Sequence, residues 1–293
     1  MTVVTNPTAG RGKAARLAPE VHRLLDEMGV DHTMMMSAGP EEPEKMARDA
    51  AGSGADVVVA LGGDGLVGMV ANGLLGTDSA MAVVPGGNAN DFSRALGLDH
   101  KRPLDAVRLL ADPIFIEIDA VRVTTSNATQ HYVGVAAVGF DSEVNETANS
   151  MATRLTGTAK YVAAIFRTLR SFVPADFVIE VDGRVHSVRA MMVPVGNGRS
   201  YGGGMRVCPG AQLSDGTVQI CIVGEMGKFE FLCNFPKVFL GAHTNHPKVS
   251  MLRGNSIQMS ADRTTHVYGD GERIGELPAS FQIVPKALRV VTP

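Results

Sequence analysis

The stretch Asp56-Val57-Val58-Val59-Ala60-Leu61-Gly62-Gly63-Asp64-Gly65 decides the fold. An apolar run ends in glycines, with one carboxylate among them. A run that is apolar on both faces is the mark of a buried strand in a parallel sheet. Glycines after such a strand let the backbone approach a phosphate closely. Asp64 would repel that phosphate, so its presence points to a cation between the two. The loop reads as a metal-nucleotide site.

Outward from this stretch, the first third of the chain alternates strand and helix. Residues 2–5 predict a strand, followed by the turn Asn6-Pro7-Thr8-Ala9-Gly10-Arg11-Gly12. A helical pattern over 13–28 sets Leu17, Val21, Leu24 and Leu25 on one face. Residues 31–36 predict a strand whose Met34-Met35-Met36 belongs to the core. Helices are expected over 41–51 and 66–75, and a strand over 80–84. This βαβ alternation implies parallel pairing with right-handed crossovers. From about residue 114 strands dominate, at 114–123, 132–138, 177–181, 185–195, 217–223, 256–260, 265–268, 280–284 and 288–291. Asp182-Gly183 between two alternating runs is a hairpin signature. Helical patterns interrupt at 159–172 and 229–240. The expected fold class is α/β plus β. A Rossmann-like lobe with a parallel sheet spans 1–120, and an antiparallel, β-sandwich-like lobe spans 121–286.

The chain has 293 residues, 45% apolar and 19% charged, enough to build a core and too apolar for disorder. A net charge of −3 argues against a nucleic-acid partner. Cys208, Cys221 and Cys233 form no CxxC pair and read as buried free thiols of a reducing compartment. Met1 leads straight into a strand with no leader pattern, and no apolar run reaches the roughly 18 residues of a membrane span. The expectation is a cytoplasmic protein, with peripheral membrane association left open.

Gly63-x-Gly65-x-x-Gly68 matches a dinucleotide fingerprint by spacing alone. It follows the third strand rather than the first and carries Asp64 where a pyrophosphate would sit, which disfavours that reading. Gly10-Arg11-Gly12-Lys13 resembles half of a P-loop, but Pro7 and Ala14 stand where a glycine and a metal-binding hydroxyl belong. A second glycine loop, Pro85-Gly86-Gly87-Asn88-Ala89-Asn90-Asp91-Phe92, follows the next strand. Adjacent parallel strands place both loops at the carboxyl edge of one sheet, where ligands bind. Taken singly, each loop is equally a tight turn with capping Asp and Asn.

Together these motifs resemble the bacterial diacylglycerol kinase family, within the superfamily that also holds sphingosine kinases and NAD kinases. Asn6-Pro7-x-x-Gly10, Gly62-Gly63-Asp64-Gly65 and Asn90-Asp91-Phe92 resemble its nucleotide lobe. Gly196-Asn197, Tyr201-Gly202-Gly203-Gly204-Met205, Pro209, Leu213-x-Asp215-Gly216, His243-x-x-His246-Pro247 and Asp270-Gly271-Glu272 resemble its second lobe. The resemblance implies an ATP-dependent kinase acting on a lipid at a membrane surface, most simply diacylglycerol. Asn6, Pro7, Gly10, Gly62, Gly63, Asp64, Gly65, Gly87, Asn88 and Asn90 are implied to bind the nucleotide. Asp64, Asp91 and Asp119 are implied to organise Mg2+, and Asp215 a second, structural metal. Asp270 is implied to be the general base, supported by Glu272. Residues 287–293 are implied to return to the first lobe, and a homodimer is compatible with the resemblance.

Two positions depart from the family pattern. Leu66 and Asn88 stand where threonines are usual. Leu66 offers no hydrogen bond, a loss of roughly 1.5–3 kcal/mol if a charged ligand sits there. The alternatives therefore stay open: another acceptor, such as a sphingoid base, another lipid alcohol or NAD, or a weakly catalytic nucleotide- or lipid-binding homologue. Asp119 borders the apolar run 114–118, where a buried carboxylate needs a partner. Seven of the eleven phenylalanines fall between Phe166 and Phe239. The 160–170 segment pairs an apolar face with basic flanks, suited to anionic lipid or to the core.

Overall fold

The computed structural model describes residues 1–39, 42–151, 153 and 158–293. The chain forms two compact units. The first comprises Met1–Ala120, Leu213–Asp215 and Val284–Pro293, and the second Val121–Gln212 and Gly216–Ile283.

The first unit runs β1 (Thr2–Thr5), α1 (Ala9–Glu27), β2 (Thr33–Met36), α2 (Glu42–Gly52), β3 (Val57–Gly62), α3 (Asp64–Leu74), β4 (Ala80–Pro85), α4 (Asp91–Ala95) and α5 (Pro103–Arg108), then the first part of β5 (Ile114–Thr125). Its strands lie in the order β2, β1, β3, β4, all parallel. The chain's last strand supplies the neighbour beyond β4, with Val290 beside Met81. Every residue of β3 and β4 is buried, as an uninterrupted apolar strand between helical layers requires. The expected start of the second helix at Glu41 lies outside the described residues.

Several expectations are corrected. Met34–Met36 does not form core. It belongs to an edge strand with one neighbour, and Met36 is exposed. On α1 the buried stripe is Ala14, Ala18, Val21 and Leu25, with Leu17 and Leu24 only half-buried, because small residues let the helix lie close to the sheet. Helix α3 starts two residues before its first apolar position. Asp64 stands in its first turn, where the helix dipole favours a carboxylate. Residues 114–117 are exposed rather than buried, and Arg289 lies over the Phe115 ring.

The second unit continues with β5 and adds β6 (Thr129–Tyr132), β7 (Val135–Val138), α6 (Phe140–Ser150), α7 (Thr158–Ser171), β8 (Ala175–Val181), β9 (Arg184–Met192), β10 (Val195–Gly196), β11 (Val218–Gly224), α8 (Lys228–Asn234), β12 (Val249–Gly254), β13 (Ser256–Ala261), β14 (His266–Gly269), β15 (Glu272–Glu276) and β16 (Ala279–Thr292). Its strand order is β15, β14, β7, β10, β11, β9, β8, β13, β16, antiparallel at each pairing. The β8–β9 hairpin turns at Asp182-Gly183, both at positive φ, as two-residue turns of this kind demand. Strand β8 alternates Ala175, Phe177, Ile179 and Val181 inward. A second cluster joins α6, α7 and α8 to Val207, Cys208, Cys221 and Val223. Cys233 is exposed, against the expectation that all three thiols are buried.

Two further differences have simple causes. The helix expected over 229–240 is split, because Pro236 ends α8 and the chain continues as a 3-10 turn over Phe235–Leu240. The two strands expected at 280–284 and 288–291 are one strand, β16, interrupted by Lys286 at φ +50°.

Helices α2 and α3 meet at Gly73, where a Cβ would collide with the Glu44 carbonyl oxygen and sit 2.9 Å from Ala47 Cβ. Gly73→Ala is expected to destabilise the chain by about 1–3 kcal/mol in denaturant unfolding, despite alanine's better helix propensity.

Candidate active site

The first unit brings three loops together through their backbones. Strands β3 and β4 run in register, with Gly62 beside Pro85, and the Gly86 N–H donates to the Gly62 carbonyl at 2.8 Å. A Cβ on Gly87 would collide with Gly63 Cα, and one on Gly10 with the Gly86 carbonyl oxygen. Gly10, Arg11 and Gly12 all adopt positive φ within α1, so the regular helix begins only after them. The first loop is tied by Asn6, whose Oδ1 accepts the Thr8 N–H at 3.0 Å and the Thr8 hydroxyl at 2.7 Å. Pro7 follows in the same turn, and Gly65 lies in the first turn of α3.

Asn90, at φ +54°, is buried and locks the second loop at both ends of its amide. Its Oδ1 accepts the Gly87 N–H and its Nδ2 donates to the Gly87 carbonyl, each at 2.9 Å. Asn90 thus shapes the loop, while Asn88 is exposed.

Asp64 Oδ1 accepts the Phe92 N–H at 3.0 Å, which draws the first loop onto the second. Burial pushes the Asp64 carboxyl up to about 6, and the neighbouring Asp91 charge adds to this against the backbone N–H bonds. Two adjacent carboxylates, one resisting ionisation, form a donor set suited to a hard cation such as Mg2+. Asp64, Asp91 and Asp119 do not bring three ligand oxygens within 4.8 Å of one another. Asp119 is 2% exposed and its Oδ1 accepts the Lys286 N–H at 2.8 Å, which meets the need for a partner. Its own N–H donates to the Leu213 carbonyl at 2.6 Å, and Asp215 is exposed two residues beyond.

Leu66 is 3% exposed, with its side chain against Gly62. It is a core residue beneath the loop, which accounts for an apolar side chain at this position.

In the second unit Asp270 sits at φ +50° in the turn between β14 and β15. Its Oδ2 accepts the Val133 N–H at 2.9 Å, and its Oδ1 accepts those of Gly134 at 3.0 Å and Val135 at 3.2 Å. A Cβ on Gly134 would collide with Asp270 Oδ1, so only glycine leaves room for this carboxylate. The Gly134 carbonyl accepts the N–H groups of Asn197 and Gly198 at 2.9 and 2.7 Å. Glu272 is exposed at the start of β15. Sequence reasoning passed over Gly134, although a glycine interrupting an apolar strand marks a close approach.

The same unit holds a cavity of about 70 Å³ that is partly open to solvent. Its wall is mostly apolar and includes Phe140, Val144, Ile165, Met205, Phe231 and Phe235. Helix α6, which sequence reasoning missed, carries one side of it. The spacing of Phe140, Val144 and Ala148 after Gly139 was the available signal. Asp141, at the start of α6, is the cavity's buried acid. Tyr201 donates its hydroxyl to Asp141 Oδ2 at 3.0 Å, yet burial still pushes the carboxyl up to about 7. His243 is lowered by the same burial.

Because burial keeps Asp141 neutral in the folded chain, the unfolded chain releases this proton first as pH rises. Stability is expected to fall from about pH 4 to pH 7, the interval between the unfolded value and the folded one. Asp141→Asn is expected to remove this loss. Its gain over the wild-type chain, on the order of 4 kcal/mol, should appear in denaturant unfolding at pH 8 and shrink at pH 5.

Two family descriptions cover the chain. The diacylglycerol kinase catalytic domain matches residues 1–123, and the YegS C-terminal NAD kinase beta sandwich-like domain matches residues 134–292. A diacylglycerol kinase of Mycobacterium tuberculosis (strain CDC 1551 / Oshkosh) is 34% identical over 295 residues, covering 100% of this chain and 95% of the relative. One from Bacillus subtilis (strain 168) is 26% identical, covering 99% and 95%. Among solved structures, a diacylglycerol kinase from Bacillus anthracis str. Sterne superposes with a TM-score of 0.74 at 22% identity, covering 100% of this chain and 96% of that one. Yeast NADH kinase shares the fold at a TM-score of 0.54 and 10% identity, covering 100% and 83%.

Proposed function

We propose that this chain, which belongs to the diacylglycerol kinase family, transfers the terminal phosphoryl group of ATP to a lipid hydroxyl, with diacylglycerol as acceptor and phosphatidic acid as product. At the coarser level it is a kinase that phosphorylates an alcohol. The lipid half of the proposal rests on the cavity. A wall of phenylalanine, valine and methionine side chains matches an acyl chain and offers little to the ribose and phosphates of a dinucleotide acceptor.

Asp270 is the proposed base. Three backbone N–H groups hold its carboxylate in one orientation. Strand β7, roughly 10 Å long, runs from the Val135 N–H that anchors Asp270 to the α6 residues lining the cavity. A lipid with its tail in the cavity and its hydroxyl at Asp270 is the arrangement this spacing supports. Glu272 is the proposed support for the base. The Gly10, Gly63 and Gly87 loops, shaped by Asn6, Pro7 and Asn90, are the proposed phosphate cradle, with backbone N–H groups as donors. Asp64 and Asp91 are the proposed holders of Mg2+, which supplies charge neutralisation to the phosphates. Asp119 and Asp215 are proposed to act further out, through water or at a separate structural ion.

Peripheral contact with a membrane belongs to the same proposal. No helix among the described residues is long and apolar enough to cross one. Phe166 on α7, Phe229 on α8, and Leu240 are 57%, 81% and 79% exposed, which a water-facing surface does not favour. The Lys228 ammonium donates to the Arg170 carbonyl at 2.6 Å, so α7 and α8 present basic and apolar groups side by side.

The test is to incubate the protein with Mg-ATP and micelles of diacylglycerol or sphingosine, with NAD in a separate reaction. Phosphatidic acid is the expected product, and phosphorylation of another acceptor, or of none, would displace the assignment. Asp270→Asn is expected to slow transfer at least a hundredfold and to lower the melting temperature modestly, because its amide NH2 faces a backbone N–H that the carboxylate accepts, so rates are compared well below the melting transition. Val144→Phe, which fills the cavity, is expected to raise KM for long-chain diacylglycerol while sparing a short-chain one. Equal KM changes for both would separate the cavity from the acceptor.

A further inference from the structure

Away from these loops, the first unit carries a second set of metal-type donors. His22 and Asp26 stand four residues apart on α1, on one helix face. His32 lies in the segment that leads from α1 into β2. His22 Nδ1 and His32 Nε2 are 2.7 Å apart. The Asp26 carboxylate is 3.6 Å from His22 Nε2 and 4.0 Å from His32 Nδ1. One donor atom from each residue falls within 4.8 Å of the others, and among the described residues this is the only such group of His, Cys, Asp or Glu.

The tautomer of His32 follows from its surroundings. Its Nδ1 lies 2.8 Å from the Val30 carbonyl, which can only accept. The proton therefore sits on Nδ1, and Nε2 turns a lone pair toward His22. A backbone carbonyl holding the far nitrogen is how metal-bound imidazoles are commonly oriented. The His32 side chain is 3% exposed, against 56% for His22 and 61% for Asp26. One donor is held firmly, and the other two face solvent, where an ion enters with its own water.

We propose that His22, Asp26 and His32 bind a divalent transition-metal ion of the zinc class. Two imidazoles and a carboxylate suit such an ion, whereas magnesium prefers oxygen donors alone. Two nitrogens at vertices of a tetrahedral zinc site stand about 3.3 Å apart, so the rings separate slightly on binding, a shift the exposed His22 permits. The ion joins α1 to the chain entering β2. Ten residues of helix, roughly 15 Å, separate His22 from Gly12, so the site is distinct from the glycine loops.

The full chain, stripped of metal with a chelator, is titrated with zinc chloride in the presence of excess Mg2+ to occupy oxygen-only sites. One equivalent of zinc is expected by calorimetry, with a rise in melting temperature that chelator reverses. His22→Ala and His32→Ala are each expected to weaken zinc binding at least tenfold, and Asp26→Asn to weaken it less. Should His32→Ala not fold, the exposed His22 carries the test. Absence of zinc binding, or binding unchanged in His22→Ala, overturns the proposal and leaves a plain hydrogen bond between two histidines.

Discussion

The first unit depends on backbones that touch without side chains between them. Gly63 meets Gly87, and Gly10 meets the Gly86 carbonyl, at separations that exclude a Cβ. This contact brings the end of β3, the end of β4 and the turn inside α1 to one place. Asn90 then fixes the second loop from within, and the Asp64 carboxylate draws the first loop onto the Phe92 N–H. The regular part of α1 starts where it does because three residues before it are bent to positive φ for this approach. Loops held this closely present N–H groups without prior rearrangement, so a bound anion meets a surface already formed.

The second unit uses the same economy of space for a carboxylate of its own. Gly134 admits a carboxylate instead of a backbone, and three consecutive N–H groups converge on Asp270. Asn197 and Gly198 hold the other side of Gly134 through its carbonyl. The orientation of Asp270 is thus set by main chain on the neighbouring strand, which has fewer ways to move than a side chain. The cavity is built differently, from helices laid on the sheet, with Asp141 as a buried acid among apolar neighbours.

How much was legible in the sequence varies with how local its cause is. The buried strands β3 and β4, the Asp182-Gly183 hairpin and the glycine loops announce themselves within a few residues. Asp64 was readable as an oddity because a carboxylate among glycines of the kind that suit a phosphate needs an explanation. The burial of Leu66 was not legible, because its neighbour in sequence is the loop while its neighbour in space is the core beneath Gly62. Met34–Met36 was misread because composition reports apolarity and not position at a sheet's edge. Helix α6 went unseen because its polar residues mask a short apolar stripe. The Asp119 partner, a backbone N–H 167 residues away, has no local trace at all.

The discontinuity of the first unit bears on how the chain is made. Strand β4 has β3 on one side and Val290 of β16 on the other. During synthesis everything up to residue 120 emerges long before Val284–Pro293, so β4 presents an unpaired flank while more than half of these residues are still to come. A nascent protein in this state invites wrong strand partners. Residues 284–293 act as a late closure, and a chain cut short before them keeps the second flank of β4 open.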